Sequence, residues 1–270
     1  MWQLVVARER VAKQSYVMNA LQIGMGGPSV AEVCIDDPKD KTAPFVACGQ
    51  LWVVQRIVPP AVTDGRPFWL LDNGYYKTSG FNKFTQKSYK TTGHYELTYK
   101  SVAPILMNEP DYTRWPAKDV LRPWNPNPSG YILLGIPGQN FGRMIGMDME
   151  AWTNTIAERI RKFSKRHIRI RTKYCERHLS EDLAGAFVCV THSSNIAVDA
   201  IVQGVPAIVA PTNPAAPVCS TNLKDLDNPW MPDRTHWWAS LMTQQFTAAE
   251  MEDGLAWHHM QKIMAQVDAR

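Results

Sequence analysis

The chain has 270 residues, 45% hydrophobic and 20% charged, with a formal charge of +4. That is enough chain for one large core or two modest ones, and the composition excludes disordered, collagenous and disulfide-stapled classes. No apolar run approaches the roughly 20 residues of a spanning helix, and the charges at Arg8, Glu9 and Arg10 follow the first apolar run, unlike a signal peptide, so a cytoplasmic protein is expected.

Cys34, Cys48, Cys175, Cys189 and Cys219 are scattered without a CxxC pair, so neither a zinc site nor a disulfide framework is expected. Cys189 lies inside an apolar run and reads as a buried small hydrophobe. Residues 1–125 carry 15 Lys/Arg against 11 Asp/Glu, whereas the remainder carries 14 of each. The excess positive charge is therefore confined to the first half, which favours an anionic partner there.

A strand is predicted at residues 3–7 and an amphipathic helix at 11–23, closed by Gly24-Met25-Gly26-Gly27-Pro28. This GxGG follows a helix rather than a strand, so it reads as a helix stop and not as a dinucleotide fingerprint. Short strands are predicted at 31–35 and 44–47, and a helix at 51–58 broken by Pro59-Pro60. A buried strand at 66–71 runs into Asp72-Asn73-Gly74-Tyr75-Tyr76. An acidic residue at the carboxyl end of a parallel strand is well placed for chemistry. The same residues also suit a turn built on Asn-Gly.

Residues 77–100 interleave Lys77, Lys83, Lys87, Lys90 and Lys100 with Phe81, Phe84, Tyr89, His94, Tyr95 and Tyr99. Cations among stackable rings suit nucleic acid, lysine neutralising phosphate while rings stack on bases. A surface hairpin with aromatic cross-strand pairs is the alternative. Residues 104–130 are rich in Pro and Trp, and the boundary is placed near 128, giving domains at 1–128 and 129–270.

Beyond it come a strand at 131–136, the loop from Pro137 to Arg143, a helix at 149–163 and a strand at 168–171. Most of the basic residues between Arg159 and Arg166 sit at a helix end, where the dipole favours cations. Arg171 and Lys173 lie instead at the strand's carboxyl end. Residues 186–190 form an apolar run stopped by Thr191-His192-Ser193-Ser194-Asn195; a helix pattern follows at 196–203, then Gly204 and a second apolar run at 205–210. That order is a βαβ unit of a parallel sheet. Its polar turn meets a helix N-terminus, where free N–H groups favour an anion such as phosphate. A simple serine cap is the competing reading. Thr247 and Glu250 form a capping box in a helical tail, and the adjacent His258-His259 has the wrong spacing for a helical metal pair.

The turn at 191–195, the acidic Asp199 before Ala200, and Gly204-Val205-Pro206 resemble the C-terminal half of GT-B glycosyltransferases of the capsule-polysaccharide type and their phage relatives. The resemblance extends over about Asp72 to Trp257. Asp199 stands where those enzymes usually carry Glu. It implies two Rossmann-like lobes with a cleft between them and C-terminal helices crossing back. It implies no metal and no cofactor beyond a nucleotide-sugar co-substrate, expected to be a UDP-sugar. Arg171 and Lys173 match a similar Arg-x-Lys, and Asp72 with Tyr75 a similar Asp-x-Gly-Tyr of phage members.

On this reading Gly138, Arg143, Arg171, Lys173, His192, Ser193, Ser194, Asn195 and Asp199 bind the donor. Asp72 is the candidate general base, with His94 in reserve. Tyr75, Lys83, Lys87, Tyr89 and Lys90 contact the acceptor, a hydroxymethylated pyrimidine in double-stranded phage DNA. The rival acceptor is a capsule or lipopolysaccharide glycan. A UDP-sugar epimerase and a non-catalytic DNA-binding protein are the competing classes.

Overall fold

Short apolar runs become strands and 3.6-periodic segments become helices in the computed structural model, which describes residues 1–8, 11–49, 52–76, 81–82, 87–88, 93–101 and 103–269. The first elements are β1 (Trp2–Val6), α1 (Val11–Gly24), β2 (Ala31–Ile35), β3 (Phe45–Cys48), α2 (Trp52–Thr63) and β4 (Phe68–Asn73). The short β5 (Phe81–Asn82) and β6 (Lys87–Ser88) pair antiparallel, as a hairpin would, and β7 (Tyr95–Tyr99) follows. Then come α3 (Ala117–Val120), β8 (Tyr131–Gly135), α4 (Gln139–Met144), α5 (Met149–Arg161), β9 (Ile168–Arg171) and α6 (Leu179–Ala184). The chain continues through β10 (Ala186–Thr191), α7 (Ile196–Val202), β11 (Ala207–Val209) and α8 (Thr235–Thr243). It ends with β12 (Gln245–Phe246), α9 (Ala248–Glu252) and α10 (Leu255–Asp268). Among the described residues, no helix is long and apolar enough to cross a membrane.

The elements sort into two α/β units, Met1–Pro104 with Gln244–Arg270, and Ile105–Thr243. In unit 1 the described strands form one sheet in the order β12-β7-β4-β3-β1-β2. β1 to β4 are mutually parallel, whereas β7 runs antiparallel to β4 and β12 antiparallel to β7. Leu4 to Val6, Phe45 to Ala47, and Phe68 and Trp69 are buried without alternation, the mark of parallel strands covered on both faces. The C-terminal segment completes this unit. α9 and α10 pack on α1, α10 also packs on β7, and Trp2 meets Trp257 edge-on at 6.0 Å.

The GxGG ends α1, and its glycines do different work. Gly26 and Gly27 take φ of 110° and 84°, which only glycine adopts freely. A Cβ on Gly24 would collide with the backbone carbonyl of Met251, so this glycine lets α9 pack close. Contrary to expectation, α2 continues through Pro59 and Pro60 to Thr63. Val53, Val54, Ile57, Val58 and Ala61 form one continuous buried face, so tertiary packing outweighs the two missing backbone donors.

In unit 2 the sheet is β11-β10-β8-β9, entirely parallel among the described strands. Ile132, Leu134, Val188, Val190 and Ile208 from this sheet pack with Ile160 of α5 and with Leu223 and Leu226. The expected boundary near residue 128 falls inside this unit. Backbone N–H groups of Arg122, Asn125 and Asn127 donate to the carbonyls of Val202, Gly204 and Ala186 at 2.9, 2.8 and 3.1 Å. The tryptophans of the Pro-rich stretch are anchored too. Trp124 Nε1 donates to Pro232 O at 2.9 Å, and the Arg234 guanidinium lies 3.8 Å over its ring. The stretch is a packed layer of unit 2 rather than a free connector.

Candidate functional site

Both sheets carry their parallel strands in the order second, first, third, fourth, which places a topological switch point between the first and third strands. In open α/β sheets ligands bind beyond the carboxyl ends of the strands at that crevice. In unit 1 the crevice lies between β1 and β3, and Gln14 closes it. Its Oε1 accepts from Ala7 N and its Nε2 donates to Cys48 O, each at 2.8 Å, and the residue is buried.

In unit 2 the switch point lies between β8 and β10, and there the strand ends lead into the loops singled out in the sequence. Thr191 Oγ1 donates to Gly135 O at 2.7 Å and ties the two strand ends together. A Cβ at Gly135 would strike Ile196 Cγ2, so the glycine is needed for α7 to start this close to β8. Gly138 faces open space and caps α4 with no side-chain bond. From β10 the chain turns through His192, Ser193, Ser194 and the exposed Asn195 into α7. The carbonyl of His192 is held by Asn213 Nδ2 at 3.0 Å and Ala210 N at 3.3 Å, which fixes the turn.

Neither serine is a strong cap. Ser194 Oγ accepts from Ile196 N at a long 3.4 Å, Ser193 Oγ bonds His192 Nδ1, and Asn195 makes no side-chain capping bond. The backbone N–H groups of Ser193 and Asn195 have no acceptor among the described residues. The His192 ring lies tilted against Phe141 of α4 at 5.9 Å and meets Trp152 of α5 edge-on at 6.1 Å. Burial lowers its pKa, so the ring is neutral at pH 7. A neutral ring, two hydroxyls and two unbonded amides border the turn.

The cations are arranged differently from the sequence expectation. Arg171 does not point to the serines. Its guanidinium bonds Asp182 Oδ2 and the carbonyl of Arg177, the latter at 2.9 Å. Asp182 is fully buried and gathers Arg169 at 3.2 Å and Arg177 at 2.9 Å as well. A carboxylate taken wholly out of water requires such partners, and that requirement outweighs Arg171's availability to a ligand. Lys173 and Arg143 are exposed. Asp199, in the first turn of α7, is mostly buried, and burial pushes its pKa to about 6 against the pull of Arg171. The same burial pushes Cys189 up to about 12, as expected of an inert core thiol.

In unit 1, Asp72 is the next-to-last residue of β4, at the carboxyl edge. Asn73 still belongs to the strand, and Gly74 has no positive φ, so this is not an Asn-Gly reverse turn of the primed type. The glycine is required for space: a Cβ there would lie against His94 O and Gln245 Oε1. Gln245 Oε1 accepts from Tyr75 N at 2.5 Å and Tyr76 N at 3.2 Å, clamping the turn. Directly across from Asp72 on β7 sits Glu96, and across from Glu96 on β12 sits Gln245. Glu96 is buried, and its pKa is driven well up by desolvation and by the Asp72 charge, although a hydrogen bond from Tyr75 opposes the shift. Tyr75 is itself held protonated by burial and by Glu96. His94 is buried, with its carbonyl accepting from Gly74 N at 2.9 Å.

Sequence reading missed Glu96, because only the β4–β7 register brings it to Asp72. Of the expected acceptor residues, Tyr75 lies beside this pair. Lys83, Tyr89 and Lys90 lie outside the described residues, and for Lys87 only the backbone in β6 is described. Among the described residues, no group of three His, Cys, Asp or Glu side chains is placed to hold a metal ion.

No protein-family model matches the chain, and no curated protein matches it. Among solved structures it is similar to the beta Kdo 2,4 transferase KpsC of Thermosulfurimonas dismutans, with a TM-score of 0.46 and 12% identity over 77% of this chain and 79% of that chain.

Proposed function

We propose that the chain is a glycosyltransferase in which unit 2 binds a nucleotide sugar and unit 1 supplies the base that activates the acceptor. One observation carries the reading. The β8–β10 switch point gathers the unbonded amides of Ser193 and Asn195, the hydroxyls of Ser193 and Ser194 and the open approach at Gly138. Two such amides and two hydroxyls match the acceptor oxygens of a diphosphate. With Arg171 engaged by Asp182, the exposed Lys173 and Arg143 provide the mobile countercharge. They stabilise the diphosphate as negative charge develops on it.

In the transfer, an acceptor hydroxyl attacks the anomeric carbon of the sugar. The sugar–phosphate bond breaks with its electron pair leaving on the nucleoside diphosphate, and the hydroxyl proton passes to the Asp72 carboxylate. The proposed acceptor is a hydroxymethylated pyrimidine in DNA, supported by the lysines interleaved with rings in residues 77–100. His94 is less suited to the base role, since it is buried beneath the Gly74 turn.

The test is mass spectrometry of hydroxymethylated DNA after incubation with a panel of nucleotide sugars, alongside calorimetric titration with UDP and other nucleoside diphosphates. Transfer of one sugar mass, lost in Asp72→Asn while diphosphate binding survives, is expected. Ser193→Ala with Ser194→Ala is expected to weaken diphosphate binding about tenfold, equivalent to about 1.4 kcal/mol. Failure of every nucleoside diphosphate to bind the wild-type chain would refute the donor site.

A further inference from the structure

Glu96 is a buried carboxyl whose neighbour across the ladder is acidic. Asp72 on β4 and Glu96 on β7 are directly paired across the antiparallel ladder, so both side chains leave the same face of the sheet. Glu96 is 8% exposed, and its Oε2 has no hydrogen-bond partner among the described residues. Its neighbour on the other side, Gln245, is neutral and directs its own oxygen to the backbone of Tyr75 and Tyr76. The Tyr75 hydroxyl also donates to Glu96.

α10, the helix that packs on β7, does not supply a countercharge. It sets His259 against Phe246 and bonds Asp268 to Tyr99 and Lys100. Tyr99 shares a strand face with Tyr95 and Leu97, and the alternation of side chains along β7 puts Glu96 on the other one. Among the described residues, the ionisable groups acting on Glu96 are therefore Asp72 and Tyr75. Two carboxyls side by side disfavour ionising together, and the more deeply buried one keeps the proton.

We propose that Asp72 and Glu96 form a carboxyl pair bearing a single negative charge at neutral pH, in which Glu96 stays protonated and serves as a positioning residue that keeps Asp72 the ionised member. This rests on the reading of Asp72 as the acceptor base. It adds what that reading lacks, a reason why the base is charged in a half-buried site. The reaction itself needs no transfer from Glu96: the acceptor proton goes to Asp72, and Glu96 retains its own.

The experiment has one arm that needs no substrate. Glu96→Gln carries the shape of the protonated acid and cannot ionise. Because Glu96 holds its proton in the fold above the pH at which a free glutamate loses it, its contribution to stability is full in acid and falls as pH rises through the folded value. The melting temperature of the variant minus that of the wild type is expected to rise as pH increases above 5 and to level off once Glu96 ionises in the fold. A difference that is flat or falling would overturn the proposal, whatever reaction the chain catalyses.

The second arm uses hydroxymethylated DNA and the nucleotide sugar found to be the donor. Glu96→Leu is expected to lower kcat at least tenfold with the KM for the nucleotide sugar within about twofold. Glu96→Gln is expected to recover most of that loss and to extend activity to higher pH than the wild type. Should Glu96→Gln be as inactive as Asp72→Asn, Glu96 would be the base and the assignment reversed. If no variant or wild type transfers sugar while the melting difference still climbs, the carboxyl pair stands and the transferase reading falls.

Discussion

The substitution Asp199→Asn tests the electrostatics of the turn where α7 meets the switch point. Asp199 is mostly buried, and its pKa rises from 3.8 to about 6 because burial outweighs the pull of Arg171. In the fold the group therefore keeps its proton over a range in which the unfolded chain has lost it. Its contribution to stability is full below about pH 4 and is lost as pH rises through about 6. A displacement of about two pH units corresponds to about 3 kcal/mol.

An asparagine at this position has the shape of the protonated acid and never bears that cost. The variant is expected to match the wild type to within about 1 kcal/mol at pH 4 and to exceed it by up to about 3 kcal/mol at pH 8. For a unit of this size that is a rise in melting temperature of roughly 6–10 °C. Removal of the charge orphans no cation, since Arg171 stays bonded to Asp182. Urea unfolding followed by circular dichroism at pH 4, 6 and 8 reads the difference directly. A variant that is less stable than the wild type at pH 8, and more so than at pH 4, would refute the reasoning. It would mean that Asp199 is ionised and held by Arg171.

Two further substitutions probe the frame around the sites. Asp182→Ala leaves Arg169, Arg171 and Arg177 without their shared carboxylate and is expected to cost about 3–5 kcal/mol in unit 2. An unchanged urea midpoint would show that the cluster is not a structural anchor. Gly74→Ala drives a methyl into His94 O and Gln245 Oε1, and releasing the clamp on Tyr75 and Tyr76 is expected to cost about 1–3 kcal/mol. Turnover should fall with diphosphate affinity unchanged, and wild-type stability and turnover in this variant would show that the turn is not clamped.

Much of the architecture was legible in the chain because its signals are local. Strands at Ala31–Ile35 and Ile168–Arg171 occupy the spans that their β-branched residues predict. The stop after α1 is written in Gly26 and Gly27, and the Thr247–Glu250 capping box forms as the spacing predicts. The turn from Thr191 to Asn195 likewise announces itself, since an apolar strand, a polar break and a helix pattern follow in order.

What needed the tertiary structure was every relation between residues distant in sequence. That Arg171 serves Asp182 rather than a ligand follows from the full burial of a carboxylate on another element, which no spacing in the chain reveals. That the Pro- and Trp-rich stretch packs into unit 2 depends on carbonyls offered by Ala186 of β10, Val202 of α7 and Gly204 beyond it. The return of Gln244–Arg270 to unit 1 adds β12 and the clamp of Gln245 on the Gly74 turn. Glu96 carries no signal of its own within residues 77–100, and only the register of β7 against β4 sets it opposite Asp72. Local composition decides which segments become strands and helices. Pairing between segments decides which charges must share a space that water does not reach.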